Sequence, residues 1–426
     1  MERALLGFSE VDITPPGPVQ TIGFGRADET SRGVLHGLSA QVSVWSCGTE
    51  RGCLAAVDHI GFSTEHADFL RDQIGKKISV PREQVMLCFS HTHSAPNDSV
   101  EEGYFRFAAS RILEAAEKAF KSQSPVKAAW GNAYGDIGVN RRPDSRELDR
   151  RIGVLKAADA ETGRLRLLVL RVTAHANVLK EDNYLISPDY FGAVRDRLSA
   201  RYGCPVMLTQ GASGNVSPWY YKSGAPWTTA NPAPPFYGVR QSASALEDMA
   251  VEVLRAVDGV ISAIQPREVT FLKTKSVRQE VCADVPSPER AREIAGKAMR
   301  YAHIDGSAWL AEIERLNREG VACQKSGVEL QYFALNDGCL CGLSNEIMCE
   351  LALRASERLG DPLFYLGGYT NGCTGYLPTE EEYDKGGFEV HWSMLIYWPY
   401  YHRAAALNRD TARRIVDCAV RGVPKP

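Results

Sequence analysis

Two histidines separated by one residue are the clearest candidates for chemistry in this chain. His91 and His93 lie in the segment Ser90–Ser94, directly after the apolar run Val85–Phe89. Because side chains alternate along a strand, both imidazoles would point to the same side if the strand continues. Two imidazoles on one side can bind a divalent metal ion. A pair of hydrogen-bonded histidines at a strand end is the structural alternative, and the spacing alone does not decide between them.

A third histidine and a glutamate follow other strand-like runs in the same way. His175 comes just after the apolar run Leu165–Val172, so two histidines leave two strand ends as convergent metal ligands would. Glu346 follows the run Cys339–Leu343 and opens a predicted helix. A carboxylate in the first turn of a helix is also favoured by the helix dipole. From the residues alone, this structural role is therefore the preferred interpretation of Glu346.

The segment Gly211–Asn215 resembles the GxSxG turn that presents a catalytic serine, and it follows the apolar run Val206–Thr209. Its fifth position is Asn215 instead of glycine, so the motif fails at a required position. Small residues allow the backbone to approach a ligand closely. We therefore expect Gly211–Ser217 to line a site without supplying a nucleophile.

The elements that must position these residues alternate between strand and helix, which predicts an α/β fold. In such folds ligands bind beyond the carboxyl ends of strands. The predicted strands are Gln41–Trp45, Cys53–Val57, Gln84–Phe89, Leu165–Val172, Val206–Thr209 and Cys339–Leu343. The predicted helices are Tyr104–Ser122, Tyr190–Tyr202, Ala243–Val257, Pro288–Tyr301, Trp309–Arg318, Glu346–Leu359 and Tyr401–Val420.

Two irregular segments interrupt this alternation. Ser217–Gly238 is too rich in proline and glycine for a helix or a central strand. It would be a lid or pocket wall, or else a surface loop anchored by its aromatic residues. Gly367–Gly387 also follows an apolar run, and its glycine and asparagine residues suit tight turns near a ligand.

Composition and missing motifs exclude several classes of function. The chain has 49 basic and 52 acidic residues, a formal charge of −3, and the two signs are interspersed. A nucleic-acid binder should instead carry a basic face, so we expect no nucleic-acid partner. No GxxxxGK[ST] or GxGxxG sequence follows a predicted strand, and HExxH is absent, so phosphate-loop and dinucleotide functions have no support.

The expected location is the cytoplasm. The first ten residues lack the apolar core of a signal peptide, and no uninterrupted apolar stretch approaches the roughly 18 residues of a membrane span. The eleven cysteines form no CxxC pair, which indicates a reducing compartment in which most of them are small core residues.

Seven short motifs occur in the order found in the catalytic region of the neutral/alkaline non-lysosomal ceramidases. They are GFSEVDITPP, FSHTHSAP, GVNRRPDSRELDRRIGVLKA, TAHANVLKEDNYLISPDYFG, GASGNVSP, NEIMCELALR and GYLPTEEEY. The chain therefore resembles this family. The resemblance implies one catalytic domain over residues 1–426, with a mixed β-sheet core flanked by helices and a helical insertion at 265–325. We expect no counterpart of the C-terminal immunoglobulin-like domain of the secreted ceramidases.

The resemblance also implies a site that binds one zinc ion per chain and hydrolyses an N-acyl amide. The four metal ligands carried over by motif are His91, His175, Glu346 and Tyr376. Three further residues are carried over to the chemistry: His93 would transfer a proton, Arg141 would face the substrate carbonyl, and Ser217 would lie in the small-residue loop. Whether Ser217 takes part in the reaction stays open.

Three departures from the family motifs concern the substrate. Asn215 stands where the family has aspartate, Trp219 where it has asparagine, and Phe388 where it has tyrosine. We expect these three residues to contact the substrate and to favour a small, soluble N-acylated compound over a two-chain lipid.

The sequence therefore predicts a zinc-dependent hydrolase, an amidohydrolase that cleaves the C–N bond of a small soluble substrate with a metal-activated water. Its expected partner is a small molecule, and a homo-oligomer stays open. Two other functions fit the same residues. One is a zinc hydrolase of an ester, lactam or glycoside, and the other is a metal-stabilised metabolite-binding protein.

Overall fold

The computed structural model describes residues 3–142, 145–218 and 243–425. The strands are β1 (Leu5–Asp12), β2 (Ser39–Cys47), β3 (Glu50–Val57), β4 (Val85–Phe89), β5 (Ser124–Tyr134), β6 (Gly138–Asn140), β7 (Arg151–Asp159), β8 (Leu165–Val172), β9 (Val206–Gln210), β10 (Val216–Pro218), β11 (Arg267–Glu268), β12 (Leu272–Asp284), β13 (Cys323–Leu335), β14 (Gly338–Gly342), β15 (Glu346–Ile347), β16 (Phe364–Gly367) and β17 (Tyr376–Leu377). The helices are α1 (Thr64–Ile78), α2 (Glu102–Lys121), α3 (Tyr190–Tyr202), α4 (Ala243–Ala263), α5 (Pro288–Ala302), α6 (Ser307–Arg318), α7 (Cys349–Leu359), α8 (Glu380–Lys385), α9 (Met394–Tyr401) and α10 (Thr411–Arg421).

A large mixed β-sheet forms the centre of the fold. Its strands are ordered β4-β3-β2-β1-β5-β7-β8-β9, and β11 pairs with β5. Most neighbours are antiparallel, whereas β3 with β4 and β8 with β9 are parallel. The strands just before the predicted site residues thus belong to the parallel pairs at the two ends of the sheet.

A second sheet, ordered β12-β13-β14-β16, packs against one face of the large sheet. Leu54 and Val169 of the large sheet and Phe333 and Leu340 of the second sheet belong to the same buried cluster. Removing a side chain of this size from water contributes about 1.5–3 kcal/mol. The interface between the sheets is therefore a major part of the core.

The strand side chains alternate between the two faces of each sheet, so each sheet also has an apolar outer face. Helices cover these outer faces. In β4, Val85, Leu87 and Phe89 pack in the cluster that includes α1 and α2, whereas Met86 and Cys88 face the second sheet. Helices α3 and α4 cover β7–β9, and α7 and α10 cover the second sheet. The layers are thus helix, sheet, sheet and helix.

The six predicted strands are confirmed, but three predicted helices have different bounds. The helix predicted from Glu346 begins at Cys349, because Glu346–Ile347 pairs with Tyr376–Leu377 as a strand. Of the predicted helix Tyr401–Val420, only the part from Thr411 is helical, as α10, since α9 ends at Tyr401 and the residues between are irregular. Helix α4 extends to Ala263, beyond its predicted end at Val257. None of the helices in the described ranges is long and apolar enough to cross a membrane.

Within 265–325, the helical part consists of α5 and α6, and the rest of that range includes β11 and β12. The two helices pack on each other through Ala298 and Trp309, and Leu395 of α9 joins the same buried cluster. The helical pair therefore supports the segment around α9.

Two cysteines form a disulfide, which the sequence analysis did not foresee. Cys282 of β12 and Cys323 of β13 are bonded across their ladder. The other nine cysteines are free thiols in the described residues, and seven of them are buried, as expected of small core residues.

Candidate metal centre

Three histidines converge where β4 and β8 end. His91 and His93 follow β4, and His175 follows β8. One ring nitrogen from each histidine lies within 4.8 Å of the corresponding nitrogens of the other two. The sequence predicted that His91 and His175 would meet, and the structure brings His93 into the same group.

Each of the three rings is held by a backbone carbonyl at its Nδ1 atom. The acceptors are Ile60 O for His91 at 2.7 Å, Gly23 O for His93 at 3.1 Å and Ser213 O for His175 at 3.0 Å. Because a carbonyl oxygen can only accept, each Nδ1 carries a hydrogen, and Nε2 is the ring nitrogen left to bind a metal. Such a partner also fixes the orientation of a metal-binding imidazole.

The three Nε2 atoms suit a cation. His93 Nε2 is buried and has no hydrogen-bond partner among the described residues. The Nε2 atoms of His91 and His175 lie 3.1 Å and 3.7 Å from Glu346 Oε2. Burial, with smaller contributions from His91 and Arg141, holds the pKa of His93 and of His175 well below the usual range. Neutral imidazoles facing a carboxylate can hold a metal ion.

Glu346 reaches this cluster through a short parallel ladder. In the register of β15 and β17, Glu346 is paired with Tyr376. The backbone of Gly214 packs closely behind, since a Cβ atom there would lie 2.6 Å from Glu346 O. Burial and the Glu346 carboxylate raise the pKa of Tyr376 well above its usual value. The phenol is therefore neutral unless a cation lies beside it.

Tyr369 and Ser213 form a hydrogen-bonded chain behind Glu346, and the sequence analysis missed both roles. The Tyr369 hydroxyl donates to Glu346 Oε2 at 3.5 Å and accepts from Ser213 Oγ at 3.1 Å. The rings of Tyr369 and His91 lie 4.2 Å apart. Since Ser213 O also holds His175, one loop orients two of the predicted ligands. The only sequence signal was that Tyr369 lies in the irregular segment Gly367–Gly387.

Gln210, the last residue of β9, ties together the two loops that carry the histidines. Its side-chain Nε2 donates to Ser90 O at 3.2 Å and to Ala174 O at 2.8 Å. These carbonyls belong to the residues directly before His91 and His175. The side chain is buried, so these bonds are shielded from water. One amide therefore fixes the distance between the two loops.

Arg141 supplies positive charge at the edge of the cluster. Its Nη2 donates to Gly214 O at 2.6 Å and lies 3.3 Å from His175 Nδ1. Since His175 Nδ1 donates to the nearer carbonyl, Arg141 acts on that ring through its charge alone. Glu389 lies 3.9 Å from Arg141 Nη1 and 2.7 Å from Arg142 Nη2, which limits the movement of the guanidinium group.

These residues open onto a cavity of about 450 Å³, the catalytic-side cavity. The predicted residues among its lining are His91, His93, Arg141, His175, Glu346, Tyr376 and Phe388. Further aromatic residues complete the wall: Phe24, Tyr397, Tyr400 and Tyr401. The last three belong to an aromatic run that the sequence favours as packing. A pocket of this size, with apolar walls and a few convergent polar groups, is typical of small-molecule sites.

Two predicted site residues do not line this cavity, and a third lies outside the described residues. Asn215 Nδ2 donates to Glu350 Oε2 at 2.8 Å, and its Oδ1 accepts from the backbone of Cys349 at 2.9 Å, so it anchors the start of α7. Ser217 lies in β10, paired with Val139. Trp219 falls outside the described residues. Substrate binding by Asn215 and chemistry at Ser217 remain predictions.

Solved structures of ceramidases are similar to this chain in fold. No protein-family model matches the chain, and no curated protein matches it. The solved neutral ceramidase from Pseudomonas aeruginosa is 19% identical, with a TM-score of 0.72 over 100% of this chain and 75% of that one. A ceramidase complexed with C2 is 17% identical, with a TM-score of 0.72 over 98% of this chain and 74% of that one. The predicted fold class is confirmed, and the chain has the fold of the neutral ceramidases.

Proposed function

We propose that this protein is a metal-dependent amidohydrolase that cleaves an amide bond of a small N-acylated compound. The observation that carries the proposal is the convergence of three imidazole Nε2 atoms and the Glu346 carboxylate at the wall of a 450 Å³ cavity. The fold shared with neutral ceramidases, which hydrolyse amides, supports this reaction class.

His91, His175 and Glu346 would hold the ion, with Tyr376 as the fourth ligand that the motifs imply. Nitrogen and oxygen donors in a group of four suit zinc. When bound, such an ion would polarise a carbonyl group and lower the pKa of a water molecule to about 7. The hydrogen-bonded chain through Tyr369 would keep the Glu346 carboxylate turned toward the ion.

The protein's own residues would then move the proton and stabilise charge. His93 Nε2 is a neutral, unpartnered base at the cavity, so it would accept a proton from the attacking water and return it to the leaving nitrogen. Arg141 lines the same cavity, and its charge would stabilise the negative oxygen that develops at the carbonyl carbon.

A second role for His93 is supported by its place in the histidine group. With its nitrogen within 4.8 Å of the others, it could complete a three-histidine ligand set. Metal content and turnover in a His93 variant separate the two roles.

The cavity favours a small substrate with an apolar or ring-shaped part. Phe24, Phe388 and Tyr397 offer apolar surface, and the tyrosine hydroxyl adds a polar contact. A volume of about 450 Å³ is at the small end of drug-sized pockets. We therefore propose a compact soluble N-acyl compound as the substrate class.

The test is a panel of chromogenic N-acyl amides, esters and glycosides, assayed with metal-free protein and after addition of Zn²⁺. We expect amide hydrolysis that requires the metal and is lost in His91→Ala. The control His402→Ala removes an exposed histidine and should behave as wild type. Zinc-loaded protein that cleaves esters or glycosides but no amide would contradict the proposed bond, and one that cleaves none would contradict the proposed hydrolase.

A further inference from the structure

A second cavity, of about 430 Å³, adjoins the catalytic-side cavity at Tyr401, which lines both. It lies between the start of α1, the first half of β13 and the segment after α9. Its lining is mostly polar, with hydroxyl or amide groups from Ser326, Ser344, Asn345, Thr370, Asn371 and Thr374. A polar cavity of this size needs a polar occupant.

Arg403 brings an unneutralised charge to this cavity. Its side chain is buried, and its amino groups donate to the backbone carbonyls of Ala405 and Thr374. No carboxylate of the described residues lies within ion-pair distance of it. Burial lowers the pKa of Arg403 to about 10. A buried cation without a counter-charge is costly, so an anion beside it would be strongly favoured.

Two further cations line the same cavity, Arg278 and Lys325. Neither has an ion-pair partner in the part of the chain that the structure describes. Two acidic residues of the lining pair with arginines, Glu329 with Arg71 at 2.8 Å and Asp68 with Arg82 at 2.9 Å, and the third, Glu65, is exposed beside His402. Among the described residues, the three cations without an ion-pair partner therefore outnumber the one carboxylate that has no arginine or lysine partner.

Asn345 places a second, independent requirement on the ligand, a hydrogen-bond donor. Asn345 is one of the lining residues and is 1% exposed, and its Nδ2 donates to Gly375 O at 3.2 Å. Its Oδ1 has no hydrogen-bond partner among the described residues. A buried acceptor left without a donor is destabilising, so a ligand that fits should offer an O–H or N–H group here.

We propose that the second cavity binds a small oxyanion that carries a hydroxyl group, of the type of hydrogen phosphate. The charged oxygens would face Arg403, Arg278 and Lys325, and the hydroxyl would donate to Asn345 Oδ1. The site is independent of the proposed hydrolase function, because none of these four residues belongs to the histidine cluster or holds its rings.

The experiment is calorimetric titration of the full chain with inorganic phosphate at constant ionic strength. Because phosphate also binds zinc, the protein is metal-free, and His91→Ala is titrated in parallel. We expect saturable binding in both proteins. The double variant Arg278→Ala/Lys325→Ala, at exposed positions, should weaken binding about tenfold without a change in thermal midpoint. The control Arg300→Ala/Arg318→Ala removes two exposed charges outside the lining and should change affinity less than twofold.

Sulfate tests the role of the hydroxyl, since it has the same shape and charge but no proton to donate near neutral pH. We expect sulfate to bind about tenfold more weakly than phosphate, the effect of one buried hydrogen bond. Heats equal to those of sodium chloride, or equal phosphate affinity in wild type and the double variant, would overturn the anion site. Equal affinity for sulfate and phosphate would overturn the assigned ligand class. Loss of phosphate binding in His91→Ala would place the anion at the histidine cluster instead, and so also overturn the proposal.

Discussion

Glu346 and Tyr376 are paired residues of a parallel ladder that is only two residues long. Residues paired in this way carry their side chains on the same face of the ladder. The carboxylate and the phenol therefore lie together at the wall of the catalytic-side cavity, although each follows a different strand of the second sheet. This pairing is the physical basis for treating both residues as ligands of one ion.

The first prediction concerns the ligands themselves. His91→Ala and His175→Ala should each bind zinc at least tenfold more weakly than wild type, because each removes one strong donor from a group of four. Equilibrium dialysis followed by elemental analysis measures this. His36→Ala, whose ring faces Asp196 away from the cluster, is the matched control. Unchanged zinc affinity in His91→Ala would remove the ligand assignment.

His93→Ala separates proton transfer from metal binding. If His93 moves the proton, zinc affinity should stay within a few-fold of wild type while kcat falls about 10²–10⁴-fold. Added imidazole should partly restore kcat, because it can transfer the proton in place of the missing side chain. A loss of zinc as large as that of His91→Ala would instead make His93 a ligand, and this outcome would contradict the proton-transfer role.

Tyr369→Phe tests the hydrogen-bonded chain behind Glu346. The ring and its packing on His91 are kept, but the hydrogen bonds to Glu346 and Ser213 are lost. We expect zinc affinity to fall about 10–100-fold, as for other residues that orient metal ligands. The absorption spectrum of the cobalt-substituted protein should change as well, because the Glu346 carboxylate can rotate.

A matched control for this variant is Tyr134→Phe, since Tyr134 is 64% exposed. It should leave both metal affinity and the cobalt spectrum unchanged. A Tyr369→Phe protein with lower stability but the wild-type cobalt spectrum would show that Tyr369 supports packing only.

Stability should depend on pH through His66, whose partner Asp98 lines the catalytic-side cavity. The hydrogen bond to Asp98 is the main cause that raises the pKa of His66, and its Nδ1 lies 2.8 Å from Asp98 Oδ2. A raised folded-state pKa means that protonated His66 stabilises the fold. This contribution is complete below about pH 6.5 and is lost as the pH rises through the folded-state pKa.

Urea unfolding of metal-free wild type and His66→Gln measures this dependence. The difference in the free energy of unfolding should be larger at about pH 5.5 than at about pH 8.5. A difference that is the same at both values, or larger at the higher one, would contradict the assigned ion pair.

Much of the fold was predictable because the relevant signals are local. β4 is a continuous apolar run, and β8 is apolar apart from Arg166 and Arg171, as expected of strands covered on both faces. In contrast, β12 alternates buried and exposed positions and carries charged residues such as Lys275 and Arg278, so it has no apolar run to detect. The strand at Glu346 is too short for any periodicity and exists only because Tyr376 pairs with it.

The candidate site was predictable to the extent that its residues sit in recognisable motifs. His91, His175, Glu346 and Tyr376 were named on that basis, and they line one cavity. The motifs do not indicate Tyr369 or Gln210, because these residues act through contacts with parts of the chain that are distant in sequence. Such contacts become visible only once the loops are placed.

The last prediction concerns charge at the reacting carbonyl. Arg141→Met removes the guanidinium charge but keeps most of the side-chain length, so it should lower kcat about 10²–10³-fold with little change in zinc affinity. Arg141→Lys should recover part of the rate, because a cation returns to the cavity without the hydrogen-bond geometry of the guanidinium. Arg150→Met, at an exposed arginine that pairs with Asp136, is the control and should keep the wild-type rate. If Arg141→Met turned over normally on amides that wild type hydrolyses, the negative charge of the transition state would have to be stabilised without Arg141.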